Sequence, residues 1–248
     1  HRRLMHAPAL LFLFLCTSAI AQTTIIVDDA SPAIFPESWR TPPINATATP
    51  LDASQHQLCR SILQKALAKY PPTVLRASLK KVYVLGRLAY SGVAAGGTNS
   101  RNVVYLTKNE RVSTTQLEGI FHAEYSSILL RNYPAHLDTA AWLQVNPPGF
   151  NYRNSGVQAI KNGKASLHPS DTLHEEGFLN EYGKASIEED FNSYAARLFM
   201  GDAALWRAIA KYPKVQAKAA LVIAFYQKLD PFFSREWFLS LRHPASEN

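Results

Sequence analysis

The chain has 248 residues, 47% of them hydrophobic and 18% charged, with a formal net charge of +7. That is enough apolar content for the core of one moderate domain, and too little charge for a disordered chain. The positive charge is spread as isolated pairs such as Lys80-Lys81, so no nucleic-acid partner is expected.

At the start of the chain Arg2 and Arg3 precede the apolar run "APALLFLFLC", and a small-x-small site, Ala19-Ile20-Ala21, follows. This pattern predicts a signal peptide over residues 1–21 and export to the periplasm or beyond. The run is too short for a comfortable membrane span, so no stable span is expected after cleavage. Cys16 follows "LFL" rather than a small residue, which favours cleavage over lipidation. Removing the leader would lower the net charge by two and leave Cys59 as the single cysteine. One cysteine makes no internal disulfide and no cysteine-based zinc site.

Residues 22–50, rich in Thr, Pro, Ala and Asp, read as an extended arm or linker with little core of its own. The folded domain is then expected over residues 51–248. Leu58, Ile62, Leu63 and Leu67 recur at helical spacing, and Pro71 closes that segment. A strand is expected around Val82, Val84 and Leu85, then a Gly/Ser turn, "SGVAAGGTNS", then a second strand from Asn102 to Thr107. A long helix follows to Pro134, capped by Ser113 or Thr114 and striped by Leu117, Ile120, Phe121, Ile128 and Leu129. Residues 135–175 carry Pro, Gly and Asn with little periodicity; so long an irregular segment usually lines or covers a site. Three helical segments come after it. The order of elements gives an α+β fold class.

Within the long helix lies "FHAEYSSILLRNYP" (121–134). A zinc-protease helix has His-Glu-x-x-His, which places two ring nitrogens on one face and a general base beside the first. Aligned on Glu124, the two histidine positions hold Ala123 and Ser127. His122 is no direct substitute, because one residue along a helix turns the side chain by about 100°. Glu118 and His122 stand at i and i+4 and offer a rearranged metal face, with Glu189 or a loop histidine such as His136, His168 or His174 as a further donor. The plainer alternatives are a surface or hydrogen-bonded Glu124, a packing His122, and acids at 188–190 that favour a helix N-terminus.

"NVVYL", "FHAEYSSILLRNYP", "NPPGFNY" and "GFLNEYGKASIEEDFNSYAARLF" together resemble a Bacteroidetes-type bacterial family classed as zinc-binding metallopeptidases. The resemblance runs from about Leu51 to Leu241. It implies a zincin-like fold: a small sheet packed on the active-site-type helix, then a mostly helical C-terminal half. It also implies Glu124 as general base, Glu189 as a third metal ligand with His122 near the metal, zinc as cofactor, and a peptide or protein as substrate. Ala123 and Ser127 depart from the family pattern. Two readings stay open: a metallopeptidase with an altered metal site, or a catalytically inactive zincin-like module that has lost its zinc ligands and binds a partner in the old cleft.

Overall fold

The computed structural model describes residues 22–153 and 155–243. The expected signal peptide lies outside the described residues. Among the described residues seven short strands run β1 (Thr24–Ile26), β2 (Thr47–Thr49), β3 (Lys81–Leu85), β4 (Arg87–Tyr90), β5 (Val93–Ala94), β6 (Gly97–Asn99) and β7 (Val103–Thr107). The helices before the C-terminal half are α1 (His56–Leu67), α2 (Pro72–Ser78), α3 (Thr114–Asn132), α4 (Thr139–Val145), α5 (Gly156–Lys161) and α6 (Asp171–Glu176). Then come α7 (Ile187–Phe199), α8 (Ala203–Lys211), α9 (Pro213–Leu229) and α10 (Arg235–Ser240). This is a mixed α+β fold. Among the described residues no helix is long and apolar enough to cross a membrane.

The main sheet has the order β1-β3-β7-β6, with β1, β3 and β7 parallel and β6 antiparallel along the edge. Its side-chain alternation fills two cores, as a pleat of period two requires. Val82, Val84, Val104 and Leu106 face the large core with α1, α3, α7 and α9. Tyr83, Leu85 and Tyr105 face a smaller one built by Ile34, Phe35 and Ala46.

That second core corrects the reading of residues 22–50 as an arm with little core. The segment supplies strand β1 to the sheet and covers the sheet's far face. The Tyr105 hydroxyl donates to the Ile34 carbonyl at 2.6 Å, and the ring of Phe35 lies 5.1 Å from that of Tyr105. A parallel strand must be buried on both faces, and this segment meets that need despite its Thr/Pro-rich composition.

Two other expectations also change. The Gly/Ser stretch after β4 contains β5, which folds back to pair with β4, and β6, which takes the free edge of β7. Residues 135–175 hold α4, α5 and α6, each capped at its N-terminus by a side chain: Asp138, Ser155 and Ser170. These helices have 6 or 7 residues, too short for a periodic apolar signature. On α1 the buried residues are Cys59, Leu63 and Ala66, while Leu58 faces out.

Helix α3 starts at a capping box in which Ser113 accepts from the Gln116 amide and Gln116 returns the bond to the Ser113 amide. It is buried on almost every side. Phe121 and Tyr125 face the aromatic core, Ser126 and Ser127 face α7, and Ile120 and Glu124 lie under β6. A helix buried all round gives no single apolar stripe to read.

Candidate functional site

Two glutamates stand near enough between α3 and α7 for the charge of one to act on the other. Glu124 comes from the middle of α3 and Glu189 from the first turn of α7, which is capped by Ser186. Both side chains are partly buried. Loss of hydration is the largest influence on each. Glu189 is pushed up to about 7, with the nearby Glu188 charge adding to burial, while hydrogen bonds from Tyr182 and Asn192 oppose the rise. Glu124 is pushed up to about 8 by burial and then by the negative charge of Glu189, against a hydrogen bond from Asn99. The charge of Glu189 thus opposes the ionisation of Glu124.

The surroundings of the pair are made by backbone as much as by side chains. The edge strand β6 lies on Glu124: a Cβ at Gly97 would stand 2.9 Å from Glu124 Cγ and 3.0 Å from its Oε1. On the other side, Gly156 opens α5. A Cβ there would collide with the Tyr182 hydroxyl and stand 2.6 Å from Glu189 Oε1. Asn99 Nδ2 donates to Glu124 Oε2 at 2.7 Å, and Arg131 donates to Asn99 Oδ1 at 2.6 Å. Burial and the carboxylate charges together hold the Tyr90 phenol up at about 12, so it stays protonated. Tyr182 shifts in the same direction, mostly through burial and the charge of Glu189. Gly156→Ala is therefore expected to displace Tyr182 or Glu189. A crystal structure or the titration of the pair in that variant checks this.

The other named residues sit elsewhere. His122 faces away from the pair. It is fully buried, stacked on Phe199 with ring centroids 5.0 Å apart, and both of its ring nitrogens are in use. Its Nδ1 lies 2.7 Å from the Tyr70 hydroxyl, and its Nε2 lies 3.2 Å from Glu118 Oε1. A carboxylate only accepts, so these partners assign the proton to Nε2, with the Tyr70 hydroxyl donating to Nδ1. Burial holds the imidazole down at about 4, which keeps it neutral. Glu118 also receives Lys69 Nζ at 2.5 Å; the bonds from His122 and Lys69 outweigh burial and hold it at about 2. The rearranged Glu118–His122 metal face is thus an internal hydrogen-bond chain.

The two positions that hold histidine in a zinc-protease helix are also accounted for. Ala123 has no donor atom. Ser127 Oγ accepts from Asn192 Nδ2 at 2.7 Å, while Asn192 Oδ1 accepts from Ser126 Oγ at 2.5 Å. His136 stacks on Tyr133, and His174 lies against Tyr212. Among the described residues no group of three or more His, Cys, Asp or Glu side chains is placed to hold a metal ion. Two carboxylates with no imidazole and a serine committed to an amide do not fit zinc, which takes three or four N, S or O ligands in a tetrahedron. This donor set departs from the one the resemblance implies.

The raised carboxyl groups make stability depend on pH. Each binds its proton more tightly in the folded chain than in the unfolded one, so their contribution is complete below about pH 4.5 and is lost as pH rises through about 7 and 8. Thermal melts are expected to show falling stability from pH 5 to pH 8.5, with a smaller fall in Glu124→Gln.

The fold and cleft define an α+β protein with a two-glutamate site between two packed helices. No family model and no curated protein matches the sequence. Among solved structures the chain is similar to one from Bacteroides caccae ATCC 43185, described as a "putative zinc-binding metallo-peptidase". The identity is 14% and the TM-score 0.48, over 90% of this chain and 84% of that one.

Proposed function

We propose that this chain is an exported, zincin-like binding module in which the metal-binding helix has lost its zinc chemistry. In this reading the cleft between β6, α3 and α7 receives a peptide or protein segment bearing a cationic group. The observation that carries the reading is the meeting of Glu124 and Glu189 without an imidazole beside them. A lysine ammonium, arginine guanidinium or free α-amine supplies the positive charge that two adjoining carboxylates favour. Tyr90 and Tyr182 offer aromatic surface on which a cation or its aliphatic stem can rest. Among the described strands β6 lies at the edge of its sheet, the place where an extended peptide can add.

The second reading, a peptidase with a rearranged metal site, requires donors beyond Glu124 and Glu189. The engagement of His122 with Tyr70 and Glu118 disfavours it.

Calorimetric titration with lysine- or arginine-bearing peptides tests the proposal, with matched neutral and acidic peptides as controls. Basic peptides are expected to bind and the controls not to bind. Glu124→Gln and Glu189→Gln should each weaken binding at least about tenfold, the scale of a lost charge-assisted contact. Affinity should rise from pH 6 to pH 8.5 as the pair ionises, opposite in sign to the stability. Equal binding of all three peptide classes, or none, would overturn the proposal.

A further inference from the structure

Helices α4 and α7 are joined by residues 146–186; of the described ones, 146–153 and 155–186, Gly156 and Tyr182 are brought against Glu189 at the start of α7. The inner side of this segment converges on one buried ion pair. Lys218 of α9 and Asp190 of α7 are both fully buried, with Nζ 2.6 Å from Oδ2. The same Oδ2 accepts from the Tyr152 hydroxyl at 2.6 Å, and that hydroxyl accepts from Trp142 Nε1 at 2.9 Å and Asn146 Nδ2 at 3.2 Å. The Lys218 ammonium also lies 3.9 Å from the centroid of Phe178. Phe178 in turn meets Phe150, with centroids 4.8 Å apart. So the segment is held on α7 through Tyr152 near one end and on α9 through Phe178 near the other, and both contacts end on the same pair of charges.

Such a pair is an expensive way to fill a core. An apolar pair of similar volume is often as stable, so a buried pair points to a geometric role where its remaining contacts are directional. Here they are directional. Asp190 follows Glu189 in the chain, and the segment it holds carries the groups that touch Glu189.

We infer that Lys218 and Asp190 are positioning residues for the cleft: they pin the connection between α4 and α7 to α7 and α9 and so set where Gly156 and Tyr182 stand around Glu124 and Glu189. The inference rests on the cleft being the binding site proposed above. Through this pin, a change in the core between α7 and α9 reaches the wall of the cleft.

Hydrogen exchange followed by mass spectrometry on the free, folded protein tests it, using Tyr152→Phe, Lys218→Met and the double variant Asp190→Asn/Lys218→Met. In Tyr152→Phe the amides of 156–161 and 182–184 are expected to lose about tenfold protection, while those of α3, β3 and β7 keep theirs; Lys218→Met should lower the same wall amides at least as much, together with the core amides that follow its loss of global stability. The double variant removes both charges but leaves a side-chain amide oxygen at position 190 to accept from Tyr152, so it should restore protection at the walls. Unchanged walls in the single variants, or a loss in Tyr152→Phe no greater there than in α3, would overturn the inference. Failure of the double variant to restore the walls would overturn it too. Because no ligand is used, a wild type that binds no basic peptide would end the reading of the cleft and leave this result standing on its own.

Discussion

His122→Ala is expected to destabilise the fold by about 3 kcal/mol, the scale of deleting a large buried side chain and leaving its hydrogen-bond partners unmatched. The Tyr70 hydroxyl would lose its acceptor, Glu118 would lose one of its two bonding partners, and the face of Phe199 would be left against a void. Urea unfolding measures the cost. The same variant, if it folds, should keep the wild-type titration of Glu124 and Glu189, because the imidazole stands on another face of α3. A metal-ligand role for His122 predicts the reverse: modest change in stability and a large change at the cleft. His122→Asn retains a donor and an acceptor, and should recover part of the lost stability.

Lys218→Met should cost about 3–5 kcal/mol, because it leaves the Asp190 carboxylate buried without its counter-ion. Burial already holds Asp190 up at about 6 even with the ammonium and the Tyr152 hydroxyl in place. Without Lys218, Asp190 must take up a proton to remain inside, so the loss should be largest at alkaline pH and smaller at pH 5. Asp190→Asn/Lys218→Met should come back to within about 1 kcal/mol of wild type, since neutral, well-packed replacements of a buried pair are often neutral in stability. A double-mutant cycle with urea midpoints separates this coupling from the individual losses.

Much of the frame around the cleft was legible in the sequence. β-Branched and aromatic runs mark β3 and β7, and Ser113 with Pro134 brackets α3. The acids at 188–190 follow a serine cap and open α7. The encounter of Glu124 with Glu189 follows from the packing of α3 on α7. No local pattern gives that packing, and the resemblance alone suggested it. The faces of α3 were not legible. A helix surrounded by protein gives His122 and Glu124 similar local contexts, and only tertiary contacts send one to Tyr70 and the other to Asn99.

The glycines and tyrosines of the cleft were missed for another reason. Gly97 sits in a stretch whose Gly and Ser content signals a turn, and the strand exists because an edge of β7 is there to pair with it. Tyr182 lies in a single turn with no periodicity. Lys218 did leave a signal. Val215, Lys218, Ala219 and Val222 follow the spacing of an apolar helix stripe, and a lysine within such a stripe calls for a buried acid. Asp190 occupies the matching place in α7, before Phe191, Tyr194 and Leu198.

The most direct measurement is the zinc content of the purified chain from Gln22 onward, by elemental analysis after dialysis, beside Glu189→Ala and with melting temperatures taken with and without added zinc. The account predicts no zinc above background in a well-folded protein and no shift in melting temperature on adding it. About one zinc per chain, lost in Glu189→Ala, would contradict it and return this cleft to the metal-dependent enzymes.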